Sequence, residues 1–155
     1  MDSLRDTFRD SHEAADQLAE SLREHVDETA AVVALGAGST ELADVVAERL
    51  GMDRLRKGRV PRTVVIVAER IRRIAPLDAL IARLLHAGAE RLVIATPLAE
   101  SGAAYQVDDR ADAFVCLRRT AQLGRIGAWY DHWTFGRGRP SARVVPIRKS
   151  LRAVV

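Results

Sequence analysis

At 155 residues, with 48% apolar and 29% charged side chains, the chain has the size and composition of one globular domain, which excludes wholesale disorder. Apolar runs such as Thr63 to Ala68 and Leu92 to Ala95 fall far short of the roughly 20 residues of a membrane-spanning helix, and the polar start Met1-Asp2-Ser3-Leu4-Arg5-Asp6 is not a signal peptide, so a cytoplasmic protein is expected. The net charge of +3 is uneven: His132 to Val155 holds six basic residues and no acid, so removing those six from the 24 leaves 18 bases against 21 acids, about −3 for the body.

Taken in chain order, residues 4–25 carry Leu4, Phe8, Ala15, Leu18, Ala19 and Leu22 near one face, which predicts an amphipathic helix. Ala30 to Leu35 is short and apolar and reads as a buried strand. Gly36-Ala37-Gly38-Ser39-Thr40 is a tight turn, and Glu41 to Leu50 a helix stopped by Gly51. Residues 53–61 form a basic loop. Arg62 to Ala68 is a second buried strand. Pro76 suits the first position of a helix running to Ala87, with Gly88 as its stop. Arg91 to Thr96 is a third strand, and Phe114 to Leu117 a fourth after a polar loop. The segment after Gly127 is aromatic and then basic, with a final strand expected at Val144 to Ile147. Strands alternating with helices imply a parallel α/β sheet covered on both faces, a Rossmann-like three-layer domain. No internal repeat, heptad or low-complexity segment is present.

Four segments together resemble the type I phosphoribosyltransferase family of bacterial proteins. They are Phe8-Arg9-Asp10 with its apolar positions to Leu22; Val32 to Ser39 running into Ala43 to Gly51; Thr63 to Val67 with Leu92 to Pro97; and Ala111 to Leu117 followed by Gly127-Ala128-Trp129-Tyr130. The resemblance covers most of residues 8–133. It implies the phosphoribosyltransferase fold over residues 1–135, followed by a basic tail, residues 136–155. It further implies phosphoribosyl pyrophosphate as ligand, Mg²⁺ as escort of the pyrophosphate in active members, and a nucleobase-like acceptor.

The sequence departs from the family where the ligand is held. In the family two adjacent carboxylates end a strand, and a Gly/Thr-rich turn cradles the 5-phosphate on backbone N–H groups at a helix N-terminus. The matching stretch here is Val67 to Pro76. Glu69 is the one remaining acid, Ala68 replaces its neighbour, and Arg70, Arg73 and Ile74 stand where small residues belong. Pro76 lacks an N–H. The pyrophosphate turn, Pro-Arg-Gly-Gly in the family, is Gly36-Ala37-Gly38-Ser39 here and has lost its arginine. Only Met52 to Pro61 separate the two units, so the family's acceptor-facing stretch is expected to be absent. The chain therefore reads as a catalytically degenerate phosphoribosyltransferase-like protein that binds a phosphorylated small molecule, a protein partner or a second copy of itself; an active phosphoribosyltransferase is the alternative.

The candidate site residues carry competing readings. Gly36, Ala37, Gly38, Ser39 and Thr40 form either an anion-binding turn or, preferred here, a glycine turn with Ser39 or Thr40 as N-cap. Glu41 breaks a dinucleotide-binding Gly-x-Gly-x-x-Gly. Arg70, Arg72 and Arg73 offer guanidinium forks to a phosphate, or form a solvated rim paired with acids such as Asp78. Glu69, the remnant of the acid pair, binds a ribose hydroxyl or metal, or pairs with Arg70 or Arg72; pairing is preferred, and no catalytic residue is assigned. Cys116 reads as a small core residue. His12, His25, His86 and His132 have no metal-ligand spacing, so no metal site is expected. Nucleic-acid binding through the basic tail is disfavoured for want of an interleaved aromatic platform.

Overall fold

The computed structural model describes residues 7–55 and 58–132. Five strands form a parallel sheet: β2 (Ala31–Ala34), β3 (Asp53–Arg54), β4 (Thr63–Val67), β5 (Arg91–Glu100) and β6 (Ala113–Thr120), in spatial order β3-β2-β4-β5-β6. Val33 pairs with Ile66, and Ile66 with Ile94, so the apolar runs stack in register through the middle of the sheet. Four helices cover it: α1 (Ser11–Leu22), α2 (Thr40–Leu50), α3 (Ala75–His86) and α4 (Ser101–Arg110).

Alternation along the strands sorts the core into two layers. Val32, Val65, Val93 and Val115 pack against Leu18 and Leu22 of α1 and Val46 of α2. Val33, Val64, Ile66 and Ile94 face the other way, against Leu77, Leu80 and Leu84 of α3 and Val107 of α4. The expected parallel, three-layer α/β domain is thus what the chain forms. A second, two-stranded parallel sheet joins β1 (Phe8–Asp10) to β7 (Tyr130–His132). There Phe8 meets Tyr130 with ring centroids 5.3 Å apart, and the Arg118 guanidinium lies 4.6 Å above the Phe8 ring.

Several boundaries differ from the sequence reading. The first helix starts at Ser11 because Asp10 caps it, its carboxylate accepting from the Glu13 N–H at 2.9 Å, while Glu13 accepts from the Arg9 N–H at 2.9 Å. Phe8 belongs to β1 instead. Within the basic loop, Asp53–Arg54 adds an edge strand to β2. The polar loop after the third strand is α4, whose narrow apolar face is Ala103, Ala104 and Val107. The third strand runs to Glu100, through Pro97. Its pairing with β4 ends at Ala95, and the buried Thr96 hydroxyl bridges the gap, donating to Leu98 O at 2.9 Å and accepting from Leu98 N–H at 3.3 Å. The expected strand at Val144 to Ile147 and the basic tail lie outside the described residues. Among those described, no helix is long and apolar enough to cross a membrane.

Candidate functional site

The C-terminal ends of β2, β4 and β5 open on one cavity of about 610 Å³. Ligands in open α/β sheets sit at this end of the strands. Gly36, Gly38 and Ser39 form one wall, Glu69 to Arg73 another, with Leu35, Pro76 and Glu100 between them. Seven of the nine residues singled out from the sequence therefore meet in one place. Ala37 and Thr40 do not line it.

The first wall is set by Gly36. Leu35 N–H donates to Val67 O at 2.8 Å, and the chain then turns at Gly36 with φ 80° and ψ 167°, a conformation open essentially to glycine. A short 3₁₀ turn, Ala37–Ser39, leads into α2. Ser39 stands at the N-cap position, yet its hydroxyl caps nothing. It accepts instead from the Glu69 N–H at 2.9 Å, tying the two walls together. The preferred capping role of Ser39 or Thr40 is thereby corrected: the Thr40 hydroxyl is buried with no hydrogen-bond partner among the described residues.

Glu69 packs on Gly38. A Cβ on Gly38 would stand 2.8 Å from Glu69 Oε1 and 3.2 Å from its Cδ, so the missing side chain is what admits the carboxyl. Burial pushes this half-buried carboxyl above the ordinary glutamate value, and the nearby Arg70 charge offsets only part of that. No ion pair to Glu69 forms among the described residues, which corrects the pairing expected with Arg70 or Arg72. Arg72 goes to Glu100 instead, at 3.5 Å. Asp78, the other expected partner of the loop arginines, accepts from Arg110 at 2.5 Å. Arg70 and Arg73 make no ion pair among the described residues.

Two backbone donors of the loop between β4 and α3 are engaged within the protein. Glu69 N–H goes to Ser39. Ile71 N–H donates to Leu98 O at 3.0 Å, and Glu100 N–H donates to Ile71 O at 2.9 Å, so Ile71 bridges to the extension of β5. At the N-terminus of α3 the ring of Pro76 lines the cavity where an N–H would face an anion.

Two site features escaped the sequence reading. Glu100 was hidden by ending the third strand at Thr96, and Tyr130 lay in a segment without assigned structure. Tyr130 is buried, and its phenol is pushed up by that burial and by the Glu69 charge. The Cys116 thiol is half-buried, pushed up to about 11 chiefly by desolvation, and donates to Arg118 O at 3.3 Å, as suits a packed rather than a nucleophilic cysteine. Among the described residues no three His, Cys, Asp or Glu side chains group closely enough to hold a metal ion. A smaller cavity, about 340 Å³, lies at the start of β2 and β3; its Arg54 is already engaged by Val32 O and Asp44.

Comparison with solved structures agrees with this geometry. The Thermus thermophilus protein TT1426 superposes with a TM-score of 0.71 over 91% of this chain and 97% of its own, at 21% identity. A purine phosphoribosyltransferase from Pyrococcus horikoshii superposes at 0.56 over 76% and 90%, at 20% identity. A hypothetical protein from Neisseria gonorrhoeae, solved with bound ppGpp, superposes at 0.57 over 95% and 94%, at 12% identity. No protein-family model matches the sequence, and no curated protein matches it significantly. At these identities the likeness is one of fold, and the fold is that of the type I phosphoribosyltransferases.

Proposed function

We propose that this chain binds a phosphorylated small molecule on a phosphoribosyltransferase scaffold that no longer transfers phosphoribose. The observation that carries the reading is the pairing state of the loop arginines. Arg72 is neutralised by Glu100, while Arg70 and Arg73, on the same cavity wall, have no acid within ion-pair distance among the described residues. Guanidinium groups left unpaired beside a concave surface match the oxygens of a phosphate. The Neisseria gonorrhoeae protein with bound ppGpp supports a phosphorylated ligand on this fold.

Catalysis is a different demand. Phosphoribosyl transfer relies on fixed donors that position the substrate and stabilise a departing pyrophosphate. Here Glu69 and Ile71 N–H are consumed internally, Pro76 has no N–H, and Ala68 stands where the resemblance places a second carboxylate. One observation favours the alternative of an active enzyme: Glu69 still reaches the cavity beside Gly38.

Isothermal titration with phosphoribosyl pyrophosphate, with and without Mg²⁺, separates these readings. Binding that Mg²⁺ does not strengthen, weaker than that of ribose 5-phosphate titrated alongside and weakened further in Arg73→Ala, is the expected result. Mg²⁺-dependent binding followed by turnover with a nucleobase-like acceptor supports the active enzyme. No heat from any sugar phosphate or nucleotide at millimolar concentration sinks both and directs the search to a protein partner or a second copy of this chain.

A further inference from the structure

The Glu69 carboxyl is out of place in a phosphate site. It lies on Gly38, with Oε1 2.8 Å from where a Cβ would stand, lines the same cavity as the loop arginines, and forms neither an ion pair nor a hydrogen bond among the described residues. Its backbone is fixed from both sides, by Ser39 Oγ and by the Ile71 bridge two residues on, which sets where the side chain leaves the cavity wall. With Arg72 and Glu100 paired, the remaining charges of the cavity are Arg70 and Arg73 against Glu69, a surplus of one positive charge.

From this charge balance and the packing of Glu69 on Gly38, we propose that Glu69 is a specificity-determining residue that admits a phosphomonoester and repels ligands carrying a diphosphate. This rests on reading the cavity as a phosphate site and narrows its ligand class. A single phosphate needs about two positive charges and meets them on Arg70 and Arg73. A second phosphate group brings further negative charge into a space of about 610 Å³ that already holds the Glu69 carboxylate, whose nearby cation, Arg70, is one of the two that the first phosphate engages. Coulomb repulsion at this range, between the limits of water and protein interior, disfavours it by roughly tenfold or more. The sign is opposite to that of a carboxylate that recruits ligand through hydroxyl groups or Mg²⁺: there, losing the charge weakens binding, whereas here it strengthens binding of the diphosphate.

The test is titration of inorganic phosphate and of pyrophosphate into wild-type protein and Glu69→Gln, metal-free, with thermal unfolding as a check on folding. The expected result is a pyrophosphate-to-phosphate affinity ratio that rises about tenfold in Glu69→Gln. Glu69→Ala, which avoids fitting an amide beside Gly38, must raise the ratio likewise should the Gln variant fail to fold. Phosphate binding in wild type with an unchanged or lowered ratio in both variants overturns the filter and leaves the phosphate site standing. Absence of binding of either anion to all three proteins overturns both.

Discussion

Replacing Gly36 by alanine isolates backbone strain at the wall of the cavity. Gly36 has φ 80°, and a Cβ built there meets nothing within 4 Å, so an alanine fits sterically with its surroundings and suffers only from its own backbone. The turn cannot relax easily. Leu35 N–H is held by Val67 O at 2.8 Å on one side, and Ser39 N–H by Gly36 O at 3.3 Å on the other. Strain of this kind costs about 1–3 kcal/mol. For a chain of this size each kcal/mol lowers the unfolding temperature by about 2–4 °C, so Gly36→Ala is expected to unfold roughly 2–12 °C below wild type. Gly38→Ala is the matched control. Its backbone is ordinary, and its Cβ meets only the end of the flexible Glu69 side chain, which swings away. It is expected to lose less stability than Gly36→Ala and to displace the carboxyl. Thermal unfolding followed by circular dichroism measures both. A Gly36→Ala protein melting within about 1 °C of wild type, or a Gly38→Ala protein melting below it, refutes the account of this turn.

Three further outcomes follow from the same contacts. The folded state holds the Glu69 proton more tightly than the unfolded chain does, so stability falls as pH rises from the ordinary value of 4.5 through the raised one; Glu69→Gln removes that loss and should be more stable than wild type at pH 7 but not at pH 4 in urea titrations. Asp112 clamps the starts of β5 and β6, its Oδ2 accepting from Leu92 N–H at 2.7 Å and its own N–H donating to Leu92 O at 2.9 Å; Asp112→Ala should cost about 1–2 kcal/mol in urea with an unchanged m-value. Because the Cys116 thiol is pushed up to about 11, its alkylation by iodoacetamide at pH 8 should run roughly a hundredfold slower than that of free cysteine.

What was legible in the sequence divides along physical lines. Buried parallel strands such as Val64 to Val67 are continuous apolar runs, and Gly51, an αL cap at φ 69° with its N–H turned back toward Ala47 O and Glu48 O, marks its helix end unambiguously. Both signals are local. α4 was not legible because a helix covering the sheet near its edge needs only Ala103, Ala104 and Val107 as a face, too little for a period to stand out from a polar stretch. β5 beyond Thr96 was not legible because Pro97 argues against a strand; the compensation, a Thr96 hydroxyl and a bridge from Ile71, is partly tertiary. At the site, the residue types were readable and their partners were not. Arg72 chooses Glu100 over Glu69 because the strand extension puts Glu100 beside it, and no spacing rule encodes that contact.

The hydrogen bonds of the loop between β4 and α3 bear on what that loop can offer an anion. A cradle built of backbone N–H groups is preorganised for an anion, and its empty form leaves those donors to water. In this chain the Glu69 and Ile71 donors are satisfied by Ser39 Oγ and Leu98 O, and the helix start carries Pro76. Those two donors are thus withdrawn from an anion, which leaves a larger share of its contacts to side chains. Arginines supply charge and forked geometry, but on long side chains that lose rotamer freedom when they bind. Such contacts serve to hold a ground-state phosphate. They serve poorly to aim fixed dipoles at a departing pyrophosphate, where preorganisation rather than charge is what lowers a barrier. On this reasoning, the proposed exchange of a backbone cradle for Arg70 and Arg73 would preserve binding before it preserved transfer.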